Sequence, residues 1–439
     1  MEKKIEMLAG SGIENQRTTS RILLGMTFIG LLAGSSSVMW ASTAAGGSTP
    51  SRAALLEAKR LDKKKAVALP ERGALEKGLY WYDNQLILQK LTAGWHGVHM
   101  AGGGFPAGAG LTFGVGFTDL GIGSVYAEPD SPNRIDFDSR VAYSTSGYLR
   151  LRGDLLFHNL GGAPLGGGLH GQYYELPQED FFGLGADSRE ENRTSYLLDG
   201  IEVGADLSWE PAKGLRLVSG LFYEEPRVGQ GTDPRFPSTE KLFDRATLPG
   251  FQDEPEFLRL DARVSYDWRD NPLHPHAGGF YSLRVSDYRD GSVGRFDFRR
   301  YEVDLHQYVP LPHRHRVLAL RSGAILTDTG AGQQVPFYYQ PTLGGHQKLR
   351  GFREFRFRDR NSLWLTAEYR WEAWWALDSA LFVDVGKVAF DRSDLDLSDL
   401  DVSYGIGFRF HSNSAFVVRL DLAFSREGFV PLLRFEHVF

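Results

Sequence analysis

The sequence of 439 residues contains no cysteine. Disulfide staples, thiol nucleophiles and cysteine-ligated metals are therefore excluded. Long apolar runs are nearly absent as well. A helical membrane protein needs several stretches of roughly 20 apolar residues, and the one candidate here is 22–41, at the N-terminus. No basic excess exists: 49 Lys and Arg stand against 55 Asp and Glu, a formal charge of -6, which argues against a nucleic-acid partner. No Gly-x-Ser-x-Gly elbow marks a hydrolase. The glycine-rich run at 101–110 lacks the Gly-Lys-Ser/Thr of a phosphate loop. The pairs His274/His276 and His313/His315 have metal-compatible spacing, but they lie beside prolines in expected turns and read as solvated turn residues. No catalytic residue, cofactor or metal is expected.

What is present is glycine (51 residues), aromatic side chains (13%) and alternation. Arg17 and Arg21 precede a short apolar core, and Ala41-Ser-Thr-Ala-Ala45 follows it, so 1–45 reads as a cleaved signal peptide. Residues 46–94 read as a periplasmic linker with a short helix around 52–65 and a second small amphipathic helix at 79–92. From 95 to 439 the pattern is strand, turn, strand, loop. Leu258, Leu260, Ala262, Val264, Tyr266 and Trp268 share one strand face, and Arg259, Asp261, Arg263, Ser265 and Asp267 share the other. The same period recurs at 200–209, 362–373 and 402–411.

A soluble sandwich also alternates. Two features favour a membrane barrel instead. Aromatics collect at strand ends, as at Tyr266 and Trp268 or Tyr369 and Trp371, where interfacial girdles sit. Short turns (210–214, 270–276, 310–315, 411–414) also trade places with long loops (177–194, 226–255, 328–360), the outer-membrane habit. The expected fold is all-β: a transmembrane antiparallel β-barrel of about 16 strands in the bacterial outer membrane. The strands are placed near 95–103, 110–118, 136–145, 147–158, 166–176, 195–209, 214–225, 256–268, 278–288, 297–309, 315–327, 361–373, 378–390, 401–411, 414–425 and 429–439. The last alternates and ends on an aromatic, with Phe435 and Phe439 forming a C-terminal signature.

Several motifs go beyond a generic barrel. Leu349-Arg350-Gly351-Phe352 lies in the longest late loop; Glu368-Tyr369-Arg370 and Phe382-x-Asp384-x-Gly386 follow on later strands. Asp267-x-Arg269-Asp270-x-Pro272 and Phe181-Phe-Gly-Leu-Gly185 precede them. This ordered set resembles the bacterial surface antigen family, the BamA/TamA-like barrels of outer-membrane assembly and two-partner secretion. In that family the Arg-Gly motif sits on loop six. The resemblance implies a loop pinned to the inner wall at Glu368, Phe382, Asp384 and Gly386. Members also carry periplasmic POTRA domains, for which the roughly 50 residues between signal and barrel leave no room.

Physical chemistry supports a bridge at these positions independently. A planar guanidinium at Arg350 can join two inward carboxylates, Glu368 and Asp384, through charge-assisted hydrogen bonds. The alternative is three unconnected lumen charges. The resemblance implies a non-catalytic role in outer-membrane protein biogenesis, assembly or translocation. Its partners would be outer-membrane lipid, client outer-membrane or secreted proteins, and periplasmic proteins not identifiable from sequence. The alternatives are a passive or gated pore for ions and small solutes, and a surface adhesin or antigen using loops 177–194 and 226–255.

Overall fold

The computed structural model describes residues 56–57, 59–60, 97–100, 104–106, 108–121, 131–312, 316–374, 377–411 and 416–434. The expected signal peptide, the helix at 79–92, His313, His315, Phe435 and Phe439 lie outside the described residues. Of the linker, Leu56, Glu57, Lys59 and Arg60 are described, and they are helical and exposed.

The unit Leu86–Phe439 holds one antiparallel sheet of 16 strands. In chain order its first eleven are β1 (Val98–Met100), β2 (Thr112–Leu120), β3 (Arg134–Ser144), β4 (Leu149–His158), β5 (Leu165–Phe181), β6 (Thr194–Ala212), β7 (Leu215–Gln230), β8 (Phe257–Asp267), β9 (Gly278–Asp290), β10 (Phe298–Pro310) and β11 (Arg316–Thr329). Two short strands, β12 (Thr342–Leu343) and β13 (Phe357–Arg358), form a separate hairpin in the connection that follows. The sheet resumes with β14 (Asn361–Trp374), β15 (Leu377–Ala389), β16 (Asp401–His411), β17 (Phe416–Ser425) and β18 (Gly428–Arg434). Each strand pairs with its sequence neighbour, β11 passing directly to β14, and β1 and β18 are the ends of the order. The architecture is the expected all-β transmembrane barrel. Closing a sheet is what lets backbone N–H and C=O groups be satisfied inside lipid.

Alternation sets the two faces. On β8, Leu258, Leu260, Val264 and Tyr266 face outward and are exposed, while Arg259 and Asp261 are buried on the inner side. On β15, Leu381 and Val383 point out; Phe382 and Asp384 point in and are buried.

The expected strand ends are corrected at β5, β6 and β7, which run for 17, 19 and 16 residues. Crossing a bilayer takes about 9–11 tilted residues. The surplus lies mostly on the long-loop side, where the outer face changes from apolar to charged at Glu225 and Arg227, which pair with each other. The first five residues of each supposed loop, 177–181 and 226–230, thus continue the sheet. On the opposite side the 210–214 turn shrinks, because Ala212 pairs with Leu215.

Over the long-loop end sit two aromatic clusters. One joins Phe181, Tyr196, Leu248, Phe251 and Phe337; the other joins Phe257, Tyr288, Phe296, Phe298 and Val335. Both tie the connection after β11 to the loops around it.

Candidate functional site: the loop latched inside the barrel

The connection from β11 to β14 is anchored before it is functional. Hairpin β12–β13 fixes its neck, and Gly344 and Gly345, at φ of 110° and 87°, turn the chain inward. The enclosed lobe carries its own apolar core: Leu343, Leu349, Phe352 and Phe357 are buried against Trp364 of β14 and Val388 of β15.

That packing delivers Arg350 to the inner wall. Its side chain is 1% exposed, and those of Glu368 and Asp384 are 0% exposed. Nε donates to Asp384 Oδ2 at 2.8 Å and Nη2 donates to Asp384 Oδ1 at 2.7 Å, a bidentate fork. The backbone N–H of Arg350 donates to the same Oδ2 at 3.1 Å. Nη1 donates to Glu368 Oε2 at 3.0 Å, and the guanidinium lies 3.5 Å from the Phe382 ring centroid. Thr366 and Ser403 hydroxyls complete Asp384's shell at 3.0 and 3.2 Å. Three directional contacts on one guanidinium fix both position and orientation, which a single point charge cannot do.

The glycines of the two motifs are there for close approach. A Cβ on Gly351 would meet Phe424 O and Ser403 Cβ at 2.7 Å each, so only glycine lets the lobe's backbone lie on β16 and β17. A Cβ on Gly386 would meet Leu343 Cδ1 and Leu363 O at 3.0 Å. The structure therefore brings Leu349, Arg350, Gly351, Phe352, Glu368, Phe382, Asp384 and Gly386 together. Of the sequence-selected site residues, Phe435 and Phe439 lie outside the described residues.

The site is larger than the motifs. Glu368 Oε1 also accepts from Arg370 Nε at 3.2 Å and Arg409 Nη2 at 2.5 Å. Asp421 on β17 receives Arg419 Nε at 2.5 Å and lies 3.1 Å from Arg409 Nη1. Arg419 Nη2 reaches back to the lobe at His346 O, 2.7 Å away. Strand register alone does not join Arg409, Arg419 and Asp421 into one network, because their contacts cross three strands and a loop.

A second anchor had only a faint sequence signal. Arg356 donates to Glu427 at 2.8 Å and to Ser188 O at 2.6 Å. Arg358 donates to Phe337 O at 2.9 Å and to the Tyr196 hydroxyl at 3.2 Å, and the Gly185 N–H donates to Arg358 O at 2.8 Å. The Phe181–Gly185 motif is thus where the base of the lobe docks. The Asp267–Pro272 motif instead builds a turn on the short-turn side, where Arg269 forks onto Asp267 at 2.9 and 2.7 Å.

Residues 251–430 match the Omp85 superfamily domain, a span that contains the lobe, Arg350 and both carboxylate strands. An Omp85 superfamily domain thus spans the latch, and the barrel is BamA/TamA-like. The barrel has the fold of BamA from Haemophilus ducreyi in a form lacking POTRA domains 1–3. That likeness has 15% identity over 77% of this chain and 69% of that one, at a TM-score of 0.54. CdiB from Acinetobacter baumannii is a looser match, with 13% identity over 72% of this chain and 53% of that one, TM-score 0.44. OccK10 from Pseudomonas aeruginosa is looser still, with 13% identity over 75% of this chain and 89% of that one, TM-score 0.31. The barrel is a bacterial outer-membrane protein. Among its described residues no group of three metal-ligating side chains converges.

Proposed function

We propose that this barrel acts in outer-membrane protein biogenesis, assembling or translocating client proteins without catalysing a reaction. The observation that supports this reading best is the buried fork of Arg350 on Asp384 and Glu368. A lobe so held occupies the lumen and braces the wall across β14 to β17. Free diffusion through the lumen is then opposed, and client engagement falls to the end strands β1 and β18. Strands at a sheet edge offer unpaired N–H and C=O groups, which a client strand can use. Outer-membrane lipid is the second partner.

Controlled depletion in the native bacterium, followed by profiling of outer-membrane proteins, tests the proposal. Loss of other barrel proteins is expected; an unchanged profile would remove the role. A disulfide joining β1 to β18 tests the edge mechanism, which predicts loss of function that a reductant restores. Single-channel recording separates a solute pore: a large steady conductance in the intact protein, rising further when 345–356 are deleted, counts against the assembly reading.

A further inference from the structure

Away from the latch, the inner walls of β4 to β9 line an open polar chamber of about 540 Å³. Its charges are mostly paired. Arg152 holds Asp154 at 2.7 Å, Arg259 serves Glu202 and Glu224, and His170 lies between Asp154 and Asp206. Arg263 is the exception. Among the described residues it makes no hydrogen bond or ion pair, and it projects into the chamber from β8.

Its cross-strand partner sharpens the anomaly. Arg263 stands directly opposite Arg284 of β9, a like-charge pair in register. Such a pair destabilises a sheet unless something compensates it. Asp261 and Glu302 do so only in part: Asp261 accepts from Arg284 at 2.5 Å and lies 3.2 Å from Arg259, and Glu302 stands opposite Arg284 on β10 without an ion pair to Arg263. The other neighbour of Arg263 in the row is Val218, which brings no charge. Two guanidiniums side by side, one with all its N–H groups free, suit a ligand that accepts several hydrogen bonds and carries negative charge. Arginines lining a lumen are also how anion and phosphate pores are built.

We propose that Arg263 and Arg284 form a binding site for a small oxyanion, a phosphate or carboxylate, taken from the water of the lumen. The site is independent of the Arg350 latch and of the assembly role. Calorimetric titration of the full chain in detergent tests it, with inorganic phosphate, acetate and dihexanoyl phosphatidic acid as separate probes. Saturable binding of inorganic phosphate or acetate is expected, weakened at least tenfold by Arg263→Gln and only partly by Arg263→Lys. Arg263 has no partner to lose, so both variants should keep the heat-shifted gel mobility of the folded barrel. Absence of saturable phosphate and acetate binding overturns the proposal, as does equal affinity in Arg263→Gln. Binding of dihexanoyl phosphatidic acid alone also overturns it, since the anion would then come from lipid.

Discussion

At Arg350 the decisive quantity is the cost of leaving charge unpaired. Removing one member of a buried ion pair costs about 3–5 kcal/mol, because the remaining charge stays desolvated. Arg350→Ala strands Asp384, while Glu368 keeps Arg370 and Arg409, so we expect a loss of that size, read as a lower urea midpoint and faster proteolysis of the lobe. Arg350→Lys keeps the charge but loses the fork, and should fall between the two. Gly351→Ala probes a different force. It changes no charge, yet its Cβ would collide with the backbone of β17 at Phe424. Lobe protection should drop while the barrel strands stay intact, as amide exchange would show. The sequence marked Arg350, Glu368 and Asp384 through inward register and motif order. It did not mark Asp421 or Arg409 as their neighbours, because register says which face a residue takes and not which guanidinium meets it.

Among the elements, the turn between β8 and β9 is acid-sensitive. Burial pushes the His276 imidazole below its ordinary value, and the nearby His274 adds to the effect. The folded turn therefore binds fewer protons than the unfolded chain. Stability from this group is full above the unfolded value of 6.5 and falls as pH drops from there toward the lower folded value. Amide exchange at Asp270 and His274, corrected for intrinsic rates, should accelerate on going from pH 7.5 to 5.5, and His276→Gln should flatten that dependence. The strand elements were readable to within a few residues wherever lipid enforces alternation. The reading stopped short at β5 to β7, because beyond the bilayer the outer face is charged and periodicity weakens, while ladder hydrogen bonds continue. The lobe's hairpin β12–β13 is two residues a side and leaves no periodic trace at all.

For the whole barrel, the apolar outer band is the part that meets acyl chains. Val203 lies inside that band on β6, between Ile201 and Leu207, and is exposed on the outer face. Val203→Arg should cost about 2–4 kcal/mol if it sits near the midplane, measured by unfolding titration in lipid vesicles. Arg227→Ala, on the charged outer face above the band, removes only a solvent-screened surface pair and should cost far less. Equal losses from both changes would contradict the placement of the band.

Local sequence determined the repeating unit. Side chains alternate because a strand has period two, lipid selects the apolar set, and turn residues space the hairpins. From these alone followed an all-β outer-membrane barrel, about 16 strands and the inward face of those that alternate clearly, such as 258–268 and 362–373. Tertiary structure decided where the connection after β11 goes. Whether that connection hangs in solvent or folds into the lumen depends on contacts between residues far apart in the chain, such as Arg356 with Ser188 and Arg419 with His346. Such contacts form only once the sheet has curled, so no window of sequence contains them.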